Sequence, residues 1–231
     1  MKKFIKRIFK KKPKPGAIEA KKSYAQEGED MVLHSVFSDL GGRHNGFFID
    51  VGALHPFRFS NTAFFYESGW SGINIEPTPD AIDLFNKHRT RDININCGVS
   101  DTEGKMNFYR FDEPALNSFS KELSEERHAN SPFNIVDQIS IPLLRLETIL
   151  DQHLKPGQHI DFMSVDVEGL DFNVLKSNNW EKYRPDFLLV EEITGFEAVS
   201  TSEINAFLKD LGYAIITKMP RTTIYQHQSV A

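Results

Sequence analysis

The sequence predicts an α/β domain: one mostly parallel sheet, helices on both of its faces, and an antiparallel strand pair at one end. Three observations lead there. From residue 47 onward, short apolar runs alternate with amphipathic stretches across short links. The runs are apolar at nearly every position, as in strands buried on both faces. The last two runs lie too close together for a helical crossover, so they must pair antiparallel.

Taken in order, residues 47–51 read Phe-Phe-Ile-Asp-Val, a buried strand ended by Gly52. Residues 61–68 read as a helix, with Ala63, Phe64 and Phe65 at its centre and Gly69 at its end. Residues 72–76 are the second strand, followed by Pro77, Pro79 and a helix through Ala81, Ile82, Leu84 and Phe85. Residues 93–97 alternate like a third strand, in which Cys97 is an inert buried thiol. Later come a helix through Leu146, Ile149 and Leu150, a strand at 162–166 and a helix at 170–176. A strand at 187–191, a helix at 203–210 and paired strands at 213–217 and 222–225 complete the fold. Trp70 and Trp180 follow helices, as packing residues do. Residues 104–142 break the rhythm: strands at 106–111 and 139–143 enclose a polar stretch, 117–134, long enough to be a lid or binding loop.

The composition, 40% hydrophobic and 26% charged over 231 residues, excludes wholesale disorder and collagen-like structure. No apolar run approaches the ~20 residues of a membrane-spanning helix. The single cysteine, Cys97, excludes an internal disulfide and a multi-cysteine zinc site, and points to a reducing compartment, the cytoplasm. Charge is divided unevenly. Residues 1–22 hold ten Lys or Arg and one acid, whereas the remainder holds 17 basic and 31 acidic residues, a net of -14. An acidic body excludes a general nucleic-acid surface. In the tail, Phe4, Ile5, Ile8 and Phe9 share a helical face ringed by Lys2, Lys3, Lys6, Arg7 and Lys10. Residues 1–12 therefore suit peripheral contact with an anionic membrane, and the alternative is a solvated basic arm. Pro13, Pro15 and Gly16 form a linker, and the domain occupies residues 23–231.

In an open α/β sheet, ligands bind beyond the carboxyl ends of the strands. Here those ends carry Asp50, Glu76, Asp166 with Glu168, and Glu191 with Glu192. Buried carboxylates are costly unless they accept hydrogen bonds, which a polar ligand supplies. A glycine turn after strand one and an acid at the tip of strand two suit an adenosine ligand, the acid accepting both ribose hydroxyls. The three-glycine dinucleotide fingerprint is missing, because Ala53, Leu54, His55 and Pro56 follow Gly52. That favours an adenosyl ligand without phosphates over NAD or FAD.

Five segments in order resemble the FkbM-type S-adenosylmethionine (SAM)-dependent methyltransferases: Ser23-Tyr24-Ala25-Gln26-Glu27-Gly28-Glu29-Asp30, Phe48-Ile49-Asp50-Val51-Gly52-Ala53, Ile75-Glu76-Pro77, Asn96-Cys97-Gly98-Val99-Ser100 and Val165-Asp166-Val167-Glu168-Gly169. The resemblance implies a class I methyltransferase (Rossmann-like) fold with a seven-stranded sheet whose last strand is antiparallel. It also implies O-methylation, often of sugar or polyketide hydroxyls. By the same resemblance Asp50, Gly52 and Ala53 lie against the methionine part of SAM and Glu76 holds its ribose. Ser100 and Asp101 lie near its adenine, Asp166 and Glu168 at its reactive end, and Gln26 and Asp30 close over the methionine group. The family turn Gly-Ala-Asn-x-Gly is Gly52-Ala53-Leu54-His55-Pro56 here, so Ser60 or Asn61 is expected to supply the lost asparagine's contact.

A sugar hydroxyl is a weak nucleophile and needs a base or a metal. Asp166 and Glu168 are the first candidates for base, and His55 is another. With Glu191 or Glu192 these carboxylates could instead hold a divalent cation such as Mg²⁺. His34, His44, His88 and His128 show no ligand spacing, and Phe57 or Phe59 is expected to line the pocket. The reading is a SAM-dependent O-methyltransferase acting on a glycan or glycolipid sugar. The alternatives are an NAD or nucleotide-sugar oxidoreductase, or a non-catalytic binding module on the same sheet.

Overall fold

The computed structural model describes residues 21–42 and 45–230. The amphipathic segment expected at residues 1–12 lies outside the described residues. Chain order is α1 (Glu29–Asp39), β1 (Phe47–Val51), α2 (Ala63–Glu67), β2 (Ser71–Ile75), α3 (Pro79–His88), β3 (Ile93–Ile95), β4 (Gly98–Val99) and β5 (Gly104–Phe111). It continues through α4 (Lys121–Asn130), β6 (Ile135–Leu144), α5 (Leu146–His153), β7 (Phe162–Val165), α6 (Asp171–Lys176), β8 (Phe187–Glu191), α7 (Phe196–Ser200), α8 (Glu203–Asp210), β9 (Tyr213–Lys218) and β10 (Thr222–His227).

Seven strands form the main sheet in the order β3-β2-β1-β7-β8-β10-β9. The first five are mutually parallel, and β10 is antiparallel to both β8 and β9. The fold is therefore the expected Rossmann-like class I methyltransferase fold. The expected antiparallel last strand is β10, the final strand of the chain. The antiparallel strand β10 is inserted beside β8, and the outermost strand β9 runs with the others.

Alternation along the strands gives the two faces different chemistry. Ile49, Val51, Ile73, Ile75, Met163, Val165, Leu188 and Val190 pack on one side against α5, α6 and α8, through Leu146, Leu150, Val174 and Leu208. Phe48, Phe162, Phe187 and Leu189 pack on the other against Leu33 and Phe37 of α1 and Phe65 of α2. By the same parity Asp50, Asn74 and Ser164 face the aromatic side, where they meet other polar groups rather than Phe rings.

The irregular middle is a second sheet, β4-β6-β5, with β5 antiparallel to β6 over most of its length. The stretch read as a loop contains α4. Ser120 caps it, its Oγ accepting from the Leu123 amide at 3.2 Å. Leu123 and Ala129 are its only apolar residues, so no amphipathic period marks it in the sequence. Helices α1 and α7 likewise fall outside the elements the sequence predicts, and Cys97 lies just past β3 rather than within it. Three Arg–carboxylate pairs join this inserted sheet to the main body. Arg58 meets Glu113 through both guanidinium nitrogens at 2.8 and 2.9 Å, Arg110 meets Asp80 at 2.8 Å, and Arg127 pairs with Glu168. No described helix is long and apolar enough to cross a membrane.

Candidate active site

A cavity of about 220 Å³ opens beyond the carboxyl ends of β1, β2, β7 and β8, with the inserted sheet as its far wall. At the tip of β1, Gly52 has φ +81° and lies so close to β7 that a Cβ on it would sit 1.7 Å from the Asp166 carbonyl oxygen. Only glycine fits that approach. The Gly52 and Ala53 amides then donate to the Ile75 carbonyl at 2.9 and 3.2 Å, fixing the turn to β2.

Glu76 stands at the tip of β2, buried, with each carboxylate oxygen accepting one amide. Leu54 donates to Oε2 at 2.9 Å and Thr78 to Oε1 at 2.8 Å. Burial pushes its pKa up, and the Thr78 side chain, followed by the two amides, pulls it back. The Thr78 hydroxyl also bonds to this carboxylate, so of its about four acceptor sites one remains for a ligand. Leu54 delivers its amide from the left-handed region, φ 54°, an uncommon conformation that surrounding contacts must hold. Beside Glu76, the cavity wall is Pro77 and the Cys97–Val99 segment. Burial pushes the Cys97 thiol up to about 12, so it stays protonated and unreactive.

At the other end Asp166, Glu168 and Glu191 bring carboxylate oxygens within 4.8 Å of one another. Burial first, then mutual repulsion, raises Asp166 well above the ordinary carboxyl range and Glu191 to about 8, and the two carboxyls hydrogen-bond each other. Like charges this close share a proton rather than both ionising. Glu168 is held separately, at φ 55°, with Ser118 Oγ donating to its carbonyl at 2.9 Å and Arg127 paired with its side chain. Gln26, Phe59, Ile193 and Arg221 complete this end.

Of the residues expected from sequence, Gln26, Gly52, Glu76, Asp166, Glu168 and Glu191 meet in the cavity. Others lie outside its lining. Asp30 accepts from Ser23 Oγ at 2.6 Å and the Tyr24 amide at 2.7 Å, anchoring the segment that carries Gln26. The Asp50 carboxylate turns to the aromatic face, accepts from Thr62 Oγ1 at 2.8 Å, and burial lifts it to about 6. Asn61 donates to Ser164 Oγ at 3.0 Å, and Ser60 Oγ accepts the Ala63 amide at 3.1 Å. Ser100 Oγ bonds Asp101 at 3.3 Å, while the Asp101 carboxylate takes Asn173 at 2.9 Å and Lys176 at 3.0 Å. His55 Nδ1 accepts the Phe57 and Arg58 amides at 3.1 and 3.0 Å, a turn-closing role, and its pKa is lowered chiefly by burial.

Leu54, Arg127, Arg221 and Pro114–Leu116 line the cavity and were not singled out from sequence. The polar stretch flagged at 117–134 does contain Arg127, its only arginine. A glycine-built turn, a two-oxygen acceptor at the next strand tip and a closed far wall fit an adenosyl ligand bearing no phosphate.

The methyltransferase FkbM domain model matches residues 50–215. No curated protein matches the sequence. Among solved structures, the chain is similar to a precorrin-6Y C5,15-methyltransferase from Geobacter metallireducens, with TM-score 0.44 and 11% identity over 90% of this chain and 93% of that one. A putative RNA methyltransferase from Pyrococcus horikoshii gives 0.44 and 10% over 91% and 92%. A putative SAM-dependent methyltransferase from Methanococcus maripaludis gives 0.38 and 11% over 92% and 97%. With well over half its length matched by the family model, the chain belongs to the FkbM family of SAM-dependent methyltransferases.

Proposed function

We propose that this enzyme methylates a hydroxyl group, that of a sugar in a glycan or glycolipid. The observation carrying the proposal is the proton-sharing Asp166–Glu191 pair at the end of the cavity opposite Glu76. Oxygen methylation must dispose of a proton, and a carboxyl pair of raised pKa is suited to take one near neutral pH. SAM, when bound, supplies an electrophilic methyl group. Glu76 holds its ribose diol, the Gly52 turn backs its methionine part, and Pro77 with Cys97–Val99 flanks its adenine. Asp166 takes the hydroxyl proton as it passes the proton it already shares to Glu191, the accepting carboxylate of the pair. Arg127 pairs with Glu168 beside that exchange, while Phe59 and Ile193 flank the mouth.

The test is incubation with SAM and a panel of neutral, amino and uronic sugar glycosides, read by mass spectrometry. A 14 Da gain confined to glycosides is expected. Methylation of none of them, with transfer to a non-sugar acceptor, overturns the sugar assignment. A second reading places Mg²⁺ on Asp166, Glu168 and Glu191, whose oxygens form a hard-donor set. Activity surviving exhaustive dialysis against EDTA favours the base; activity lost and restored by Mg²⁺ favours the metal.

Glu76→Ala should weaken S-adenosylhomocysteine (SAH) binding by roughly 1–3 kcal/mol, since it removes the ribose acceptor and leaves the Leu54 and Thr78 amides unpaired. Isothermal titration measures it, and unchanged affinity would remove Glu76 from the site. We also propose that residues 1–12 hold the enzyme at an anionic membrane surface, on the strength of ten basic residues in the first 22. Flotation with anionic vesicles at low salt, lost at high salt, is expected; absence of binding at low salt refutes it.

A further inference from the structure

The Arg89 side chain, just past α3, is fully buried on the aromatic side of the sheet. Its Nε donates to Asp92 Oδ2 at 2.8 Å, Nη1 to the Pro56 carbonyl at 3.1 Å and Nη2 to Thr62 Oγ1 at 3.1 Å. Thr62 in turn donates to Asp50, and Asp92 accepts the Gly72 amide at 2.9 Å and the Asn74 side chain at 3.1 Å. The Tyr66 ring lies 4.5 Å beneath the guanidinium carbon. Burying an ion pair contributes little net stability, because desolvation offsets attraction, and apolar replacements are often as stable. The network is better understood by what it holds in place.

The Pro56 carbonyl belongs to the turn between β1 and α2. That turn includes two non-glycine residues in the left-handed region, Leu54 at φ 54° and Phe59 at φ 55°. Such conformations persist only where surroundings over-determine them. The outer side of the turn is clamped by His55 Nδ1 on the Phe57 and Arg58 amides. Proline has no amide hydrogen, so the carbonyl is the main-chain handle that residue 56 offers to the interior. Arg89 grips that handle.

We propose that Arg89 is a positioning residue for the cofactor turn: by fixing Pro56 from below, it holds Leu54 so that its amide meets Glu76 and the turn keeps the shape SAM requires. The proposal rests on SAM lying against the Gly52 turn. Two variants of the full chain test it, R89K and R89M/D92N, the second removing both charges of the buried pair together. SAH affinity is expected to fall about tenfold or more in R89M/D92N and about threefold to fivefold in R89K, where one ammonium cannot serve all three acceptors. Hydrogen exchange at residues 52–60 should quicken about tenfold in the absence of SAH, with exchange across α5 unaltered as the mark of an intact core. If R89M/D92N does not fold, R89K decides alone. SAH affinity within twofold of the parent overturns the proposal, and so does weakened affinity with unaltered exchange at 52–60. A parent protein that binds no SAH removes the placement of SAM, and the proposal with it.

Discussion

Replacing Asp166 with Asn is expected to cut kcat by about 10²–10⁴-fold, the usual contribution of a positioned base, while SAH affinity changes little. Asn keeps the shape and a hydrogen bond to Glu191 but cannot take a proton at pH 7. Rapid-quench measurement of methyl transfer, with SAH titration alongside, checks both halves. A kcat within threefold of the parent would mean that Asp166 is not the base. The parent's rate should also depend on pH in a stated direction. Glu191 titrates at about 8, and Asp166 is raised with it, by burial and by mutual repulsion. The base works deprotonated, so kcat/KM should rise through that range.

Stability should move the opposite way. Glu191 is raised in the folded state from an ordinary 4.5, so the native protein binds more protons than the unfolded chain between those values. The neutral form's contribution is complete below about 4.5 and is lost as pH climbs to about 8. Asp166→Asn removes one of the repelling charges, and the variant should therefore melt above the parent at pH 9. The same substitution would harm the reaction and help the fold, a trade common where like charges are gathered for chemistry.

Gly52→Ala should be the most damaging small substitution in the cavity wall. Left-handed backbone costs a residue with a Cβ about 1–3 kcal/mol. Here the added carbon would also fall 1.7 Å from the Asp166 carbonyl oxygen, which is main chain and cannot rotate aside. The tips of β1 and β7 must part, moving the cofactor turn and the proposed base together. Tm should fall by about 5–10 °C, and SAH binding should weaken beyond about 100-fold. Calorimetry and titration on one preparation measure both, and parent-like affinity would show that the two strand tips are not jointly needed.

The strands could be read from sequence because burial on both faces writes a nearly continuous apolar run, and link lengths then predicted a mostly parallel sheet with one antiparallel pair, the seven-stranded form being what the family resemblance implied. Helix α4 could not, since Lys121–Asn130 turns no apolar stripe toward the core. The site divides along similar lines. Gly52, Glu76, Asp166 and Glu168 were legible because they end parallel strands, where the fold itself makes a crevice. Asp50 belongs to the same motif as Gly52, yet the parity of Ile49 and Val51 already sends its side chain to the other face. Asp101 sits in the expected turn, but Asn173 and Lys176, contributed by α6, draw its carboxylate away. That pull is tertiary, and no local pattern carries it. Arg127 likewise reaches Glu168 across 41 positions of chain.

The inserted sheet joins the body through the core residues Val99 and Leu144 and through guanidinium pairs, of which Arg58–Glu113 and Arg110–Asp80 are open to solvent. Exposed pairs of this kind each contribute about 0–1 kcal/mol and weaken as salt rises. Raised salt should loosen these two contacts between the inserted sheet and the body, with the domain's melting point scarcely altered.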